Sequence, residues 1–529
     1  MPLRILLIGL SLLLAACQTT PVIEQDPNKV SGTHGYVYVN FPKASFHNGV
    51  DVKNTKTGIE YTLSAREADS LRAYGLWLPA GEYRLSRWAR FPLVNYTPFQ
   101  VKPGHVTDLG SLITIDIGGH QTIVLPYRHP EYSDAIEPVL NQHGKHLHSK
   151  QPLQWFMKKR PEPVTITAGA TGLGLVVDII NQHAHDAVKP SNNKTLKATT
   201  DIDEFFRIAL TAIQPEEMEV AMDEAGNLYY GGDLGQIRVR NKTGQWSSLD
   251  TGSLKPVTAV EYHDGALYAG MLDGKIRITR DQGKTWRVLN LLDDKEAIVD
   301  IDKTENGWLI MSSGSSNPPQ PSILFGVRRS VEEVILYQAI GQEPDNLVIV
   351  TKKKYPEGPF NVIPSINGTQ VADDYYFFIY PELHRLSLSS GHIETFKLPN
   401  EPTAFSVSDD ASVITVTRAQ GIFSDLYIST DRGKTWKPLN TPPYHAPNIH
   451  FRSPNEGHTA RWSAGAFTGN YEIYDYNAGE EKWFRTNEVP EGCMKILWDA
   501  HKEPAFCVSR SGTILVHKNN KWLVEYSNE

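Results

Sequence analysis

From about residue 218 to the C-terminus, apolar residues recur in short alternating runs, each closed by Gly, Asn or Asp. Gly226-Asn227-Leu228-Tyr229 leads to Gly235-Gln236-Ile237-Arg238-Val239 and on to Trp246. Gly265-Ala266-Leu267-Tyr268, Gly274-Lys275-Ile276-Arg277-Ile278 and Trp286 repeat that pattern at offsets of 39 to 40 residues. Alternation of this kind builds half-buried strands, and the glycines supply the turns between them. Each unit reads strand, tight turn, strand, turn, strand, which is an antiparallel meander. A period of that length is typical of one blade in a ring of small sheets.

Fainter copies keep the beat. Asn306-Gly307-Trp308-Leu309-Ile310 opens a third unit, with Ser312 to Pro321 read as a loop within it. Tyr375-Tyr376-Phe377-Phe378-Ile379, with Arg385 to Leu388 and a closing Phe396, makes a fourth. Ser412-Val413-Ile414-Thr415-Val416 begins a fifth, Tyr471 to Trp483 forms a sixth, and Cys493 to Trp522 a seventh. The count over 218–529 is therefore seven blades, with six or eight as alternatives. The stretch 318–368 is irregular enough to hold an inserted hairpin. Ring closure is expected from Met218-Glu219-Val220-Ala221-Met222 lying as a strand beside Leu523-Val524-Glu525-Tyr526.

The N-terminal third is patterned differently. Residues 33–127 read as a separate β-sandwich, with strand runs at Tyr36-Val37-Tyr38-Val39-Asn40-Phe41, Tyr61-Thr62-Leu63 and Leu112-Ile113-Thr114-Ile115-Asp116-Ile117. Residues 128–217 read as a partly helical connector. Asp201 to Leu210 has helical spacing with Thr200 or Asp201 as its cap. The apolar run 172–180 reads as a short helix, and Ser191 to Lys197 as an exposed loop. The fold class is mainly β: a sandwich, a short connector and a propeller.

Two segments far apart are near-copies: Thr279-Arg280-Asp281-Gln282-Gly283-Lys284-Thr285-Trp286 and Ser429-Thr430-Asp431-Arg432-Gly433-Lys434-Thr435-Trp436. Asp281 and Asp431 can accept backbone amides in a tight turn, and Gly283 and Gly433 can take positive φ there. Trp286 and Trp436 then bring a large ring to bury between units. Both segments resemble the Asp-box, or BNR repeat, of β-propellers, where this turn is scaffolding. Leu76-Trp77-Leu78-Pro79-Ala80-Gly81-Glu82-Tyr83-Arg84-Leu85 resembles the strand entry of PEGA-like or carboxypeptidase-regulatory-like sandwiches. That resemblance implies a spacer or binding platform.

At the N-terminus, Arg4 precedes an apolar run ending Leu14-Ala15-Ala16-Cys17. The run is too short to span a bilayer and has the order of an export signal over residues 1–16. Its end resembles the lipobox of bacterial lipoproteins, which implies lipid (palmitate-type) attachment at Cys17. The alternative is an ordinary signal peptide with an incidental cysteine. Gln18, where Gram-negative lipoproteins kept at the inner membrane tend to carry Asp, points to the outer membrane. Residues 17–32 read as a flexible tether.

The two remaining cysteines, Cys493 and Cys507, sit in strand-like runs joined by a turn. They read as a disulfide in an exported compartment, or as two reduced buried thiols. A net charge of −8 argues against a nucleic-acid partner. His143, His146 and His148, and His183 with His185, have the spacing of metal ligands but no Cys partner and no His-Glu-x-x-His pattern. They are read as solvated surface, with no metal or cofactor. Lys352-Lys353-Lys354 and Arg328-Arg329 read as solvated faces or as a dock for an acidic partner.

Sialidases carry Asp-boxes, so their chemistry is the enzymatic alternative. It requires three arginines, a Tyr nucleophile with a Glu, and an acid Asp. Their Arg-Ile-Pro segment has no counterpart, and Phe451-Arg452-Ser453-Pro454 imitates it poorly. No residue is assigned to catalysis. The function expected is a membrane-anchored, cell-envelope binding or assembly lipoprotein whose disk holds an envelope protein or glycan. The alternative is a sialidase-like glycoside hydrolase.

Overall fold

The structure, a computed structural model, describes residues 24–40, 49–63, 73–88, 91–118, 121–128, 133–165, 194–216, 220–293, 295–314, 320–322, 326–328, 331–355, 366–420, 423–442, 448–464, 469–490, 492–509, 512–519 and 521–527. Cys17, His183, His185, Met218, Arg329 and the run 172–180 lie outside them. The chain divides into two compact units, Met1–Ile113 with Val124–Met157, and Thr114–Ile123 with Lys158–Glu529.

Among the described residues the N-terminal third holds two sheets. One runs Gln121–Tyr127, Val106–Gly118, His34–Asn40, Ala73–Pro79, and the other Glu60–Leu63, Val50–Asn54, Gly81–Trp88, Phe91–Pro92. The Leu76–Leu85 segment is a corner between them. Its first half pairs in one sheet and its second in the other, and the Tyr83 hydroxyl donates to Pro79 O (2.9 Å) across the bend. Residues 24–32, expected within the tether, are packed instead. The Gln25 amide bonds both backbone groups of Trp77 like an added strand residue, Asp26 caps a helical turn Pro27–Val30, and Val30 is buried. His143, expected on the surface, is also buried. It ends the helix Ser133–His143, its ring 4.3 Å from that of Tyr36 and 5.9 Å from that of Trp77.

The second unit is the propeller. Among the described residues, seven four-stranded antiparallel sheets follow one another in sequence order. Blade 1 covers 221–250, blade 2 257–290, blade 3 296–354, blade 4 368–395, blade 5 404–439, blade 6 448–488 and blade 7 493–526. The expected insertion is present as a hairpin, Gln320–Ser322 with Gly326–Arg328, between the second and third strands of blade 3. Fourth strands are the most exposed, and second strands the most buried.

Each seam between consecutive blades holds its own apolar cluster. At the seam of blades 2 and 3, Tyr268, Ile276, Ile301, Trp308 and Ile310 are buried together. Burying each such side chain contributes about 2 kcal/mol. Trp246, Trp286, Trp436, Trp483 and Trp522 occupy equivalent places at the start of fourth strands, each packed on the preceding blade. The Trp286 indole donates to Asp250 O (2.8 Å) and that of Trp483 to Asn440 O (2.7 Å). Phe396 is not equivalent to them. It follows its strand and packs forward on Val407 and Ile414 of blade 5.

Closure departs from the expected strand exchange. Ala221–Met222 pairs with Leu228–Tyr229 inside blade 1, and Lys521–Tyr526 pairs with Ile514–Lys518 inside blade 7. Side chains latch the two blades instead. Arg240 makes a bidentate pair with Glu525 (2.7 Å each), the Trp246 indole donates to the same carboxylate (3.0 Å), and the Tyr230 hydroxyl donates to Trp498 O (2.9 Å). Lys495 reaches back to Glu216 (2.8 Å) on the entering chain. Burial pushes Glu525 upward, but the bonds from Arg240 and Trp246 outweigh it and hold the carboxyl below its usual range.

A helix braces the outer end of this seam. Asp201 caps Ile202–Thr211 by accepting from Asp203 N and Glu204 N, as its spacing predicted. At the other end, Arg238 donates to Thr211 O (2.7 Å) while stacking under Tyr526 (4.5 Å). A cation there also complements the helix dipole. The expected loop before it is helical at Lys194–Ala198, with Leu196 buried.

Cys493 and Cys507 form a disulfide, Cα atoms 5.7 Å apart, tying the first strand of blade 7 to its second. They are not directly opposed: Cys507 faces Ile496, and a register shift after Cys493 brings the sulfurs together.

Two outcomes are expected. Glu525→Ala, which leaves Arg240 buried without its counter-charge, should lower unfolding stability by about 3 kcal/mol in denaturant titration. The double change Cys493→Ser with Cys507→Ser should cost about 3 kcal/mol for a loop of this length, and added reductant should not weaken that variant further.

Candidate functional site

The first strands of all seven blades converge on a cavity of about 420 Å3. Val220, Thr258, Asp300, Asn367, Ser406, His450 and Lys502 represent blades 1 to 7 in order around its wall. That arrangement marks the axis of the ring. Its size and its few converging polar groups are those of a small-ligand pocket.

Asp300 is held rigidly. It is 3% exposed and accepts from Gly368 N (2.5 Å) and the Tyr375 hydroxyl (3.1 Å), which also lies 2.9 Å from Asp302. A Cβ at position 368 would sit 1.9 Å from the Tyr375 hydroxyl oxygen, so only glycine permits this bond set.

Ser406 Oγ and His450 Nδ1 are 2.5 Å apart, the spacing of a nucleophile and its base. The electrostatics oppose that role. Burial, then the charges of Lys502, His458 and Arg452, push His450 down to about 3. An imidazole so depressed is a weak base at neutral pH, and the pair serves as a neutral hydrogen-bonding group.

Lys502 sits at φ 57° in the turn between the first two strands of blade 7. Its Nζ lies 3.5 Å from Thr369 Oγ1 and 3.4 Å from Val407 O, on blades 4 and 5. Among the described residues no carboxylate lies within ion-pair distance of it.

Among the described residues no arginine lines the cavity. A Tyr-Glu-Arg grouping does exist in blade 6, where the Tyr474 hydroxyl donates to Glu472 (2.9 Å) and Arg461 and Arg485 flank the carboxylate. None of the four lines the axial cavity. Arg452 is paired with Glu503 and Glu456. Among the described residues no group of His, Cys, Asp or Glu is disposed to hold a metal ion, and no helix is long and apolar enough to cross a membrane. Lys352 pairs with Glu333 (2.8 Å), and Lys353 with Glu382, on the outer strand of blade 3.

The two Asp-boxes are superposable in their bonding. Asp281 accepts from Thr285 N (2.9 Å) and from the hydroxyls of Thr285 (2.6 Å) and Thr279 (2.8 Å). Asp431 accepts from Thr435 N, Thr435 Oγ1 and Ser429 Oγ at the same distances. Gly283 and Gly433 both sit at φ 82°. A Cβ on Gly283 would meet Leu249 of blade 1, and one on Gly433 would meet Phe396 of blade 4, so each turn presses on the preceding blade. The boxes are far from the axis in role: they position the seam tryptophans.

A family model described as "BNR/Asp-box repeat" matches residues 427–438, the second of these turns. No curated protein matches the chain. Among solved structures, it is similar to one described as "YCF48 bound to D1 peptide", with TM-score 0.40 and 13% identity over 57% of this chain and 91% of that one. It is also similar to "Crystal Structure of Mitotic Checkpoint Complex", with TM-score 0.33 and 12% identity over 49% of this chain and 75% of that one. The propeller assignment rests on the seven sheets and their seams.

The boxes generate a pH expectation. Bonds from Thr285, then Thr279, pull Asp281 down to about 2, and bonds from Thr435, then Ser429, do the same for Asp431. A depressed folded pKa adds stability that is fully present above the unfolded value of about 3.9 and is lost as pH falls toward 2. The gap in melting temperature between wild type and the Asp281→Asn, Asp431→Asn double variant should be constant above about pH 5 and shrink below pH 4. A pH-independent gap would contradict the assignment.

Proposed function

We propose that this protein is an extracytoplasmic lipoprotein, anchored through Cys17 to the outer membrane, whose propeller disk binds an envelope protein or glycan. The observation that carries the binding part is the axial cavity. Its wall presents a buried carboxylate, a non-basic histidine and an amine that, among the described residues, has no carboxylate at ion-pair distance. Such a set of charged and hydrogen-bonding groups suits the holding of a polar ligand. The exposed fourth strands and two-sheet N-terminal unit are compatible with a scaffold that keeps the disk near a membrane.

Two measurements test this reading. Screening the soluble chain from Glu24 on a glycan array and against envelope extracts should give retention without sugar release. Turnover of a glycoside substrate would favour the sialidase-like alternative. Mass spectrometry of the membrane-extracted protein should find a lipid on Cys17, and Cys17→Ser should move the protein to the soluble fraction.

A further inference from the structure

Two polar groups on the axial wall have bonding capacity that the fold does not use. Lys502 carries three N–H donors, which meet Thr369 Oγ1 at 3.5 Å and Val407 O at 3.4 Å, both uncharged and both long for a hydrogen bond. Among the described residues no carboxylate compensates its charge. Asn367 Oδ1 is a buried acceptor with no partner among the described residues. A buried acceptor left so is unfavourable, and a ligand donor would remove the penalty. The two groups are neighbours. Asn367 and Thr369 alternate along the chain entering the first strand of blade 4, where Asn367 O accepts from Phe378 N (3.2 Å) of the second strand. Both line the cavity. Alternate residues of an extended chain lie about 7 Å apart on one side of it.

An ammonium and an amide acceptor this close select a ligand with one negative charge and, a few atoms away, a neutral N–H or O–H. We propose that the axial cavity binds a small monocarboxylate that carries a neutral hydrogen-bond donor, its carboxylate at Lys502 and its donor at Asn367 Oδ1. Both 2-hydroxy acids and N-acyl amino acids have this chemistry. Asp300 and Asp499 share the wall with this ammonium, so its charges suit one negative group and not two. His450, pushed down to about 3 chiefly by burial, stays uncharged at neutral pH and does not compete for the carboxylate. Half-buried Phe405 and Trp498 supply apolar wall for the rest of the ligand. The volume of about 420 Å3 falls in the range of small-ligand pockets.

This rests on the reading of the disk as a binding device and adds the chemistry held at its axis. The test is calorimetric titration of the whole protein with lactate and mandelate, and with N-acetylglycine and N-acetylphenylalanine. Each binder is then repeated as its primary amide, which removes the charge, and with its hydroxyl or amide nitrogen methylated, which removes the donor. At least one of these acids should bind. Removing the charge should weaken it by about tenfold or more, the loss of a charged hydrogen bond, and removing the donor by about threefold or more, the loss of a neutral one. Malate should bind no more tightly than lactate. Whether the hydroxy or the N-acetyl series binds better identifies the source.

Lys502→Gln should reduce binding as the amide does, and Lys502→Arg should restore part of it. Asn367→Leu should bind an acid and its methylated form alike, because the acceptor that tells them apart is gone. Thermal melts verify folding, and where a variant fails to fold, the paired ligands carry that arm alone. Binding insensitive to the charge or to the donor, tighter binding of malate, or no binder in the panel overturns the proposal. Retention of the envelope partner by Lys502→Gln would leave the broader binding reading intact, so the two fail separately.

Discussion

The seam between blades 7 and 1 is the constraint on which this propeller depends, because no peptide bond crosses it. The other seams are backed by the chain passing from one blade to the next. Here the first and last sheets are each complete, and the ladder of neither continues into the other. What holds them is the buried Arg240–Glu525 pair, its tryptophan, and the apolar cluster around Leu228, Tyr230, Phe506 and Val516. A buried ion pair contributes little net energy, but it fixes register and is costly to break on one side only. Those are the properties a closure without strand exchange needs.

The axial cavity follows from that closure. Its wall is made from seven first strands, and Lys502 on blade 7 reaches Thr369 and Val407 on blades 4 and 5. Were the ring to open at its seam, blade 7 would carry the amine away from Asp300 and the cavity would cease to exist. Stability at the outer edge and the form of the axial cavity are thus linked through the blade that has no covalent neighbour on one side.

Much of this was legible in the sequence, for a physical reason. The blade pattern is local: alternation, a glycine turn and a closing tryptophan lie within one unit, so period and count could be read directly. The Asp-boxes could be read because Asp281 and Asp431 complete their bonding within four residues. What could not be read depends on distant partners. Glu525 bonds Arg240 across 285 positions and looks in sequence like any surface acid. Lys502 looked like turn chemistry. Its signal was positional, at the end of a first strand, where every repeat meets the axis. Phe396 does end blade 4, as read, but packs forward on blade 5; like blade 3, blade 4 has no tryptophan at the start of its fourth strand. His143 was misread because its polar neighbours hide a ring packed on Tyr36 and Trp77. The Lys194–Ala198 helix was hidden because a single buried Leu196 makes no period.

Native-state hydrogen exchange resolved by blade tests the account most directly. Sub-global opening should begin at the uncrossed seam, so amides in 221–250 and 493–526 should share one opening free energy, lower than that of blades 3 to 5. Equal opening free energies in all seven blades, or a first opening at an interior seam, would contradict a ring whose integrity rests on the blade 7 to blade 1 latch.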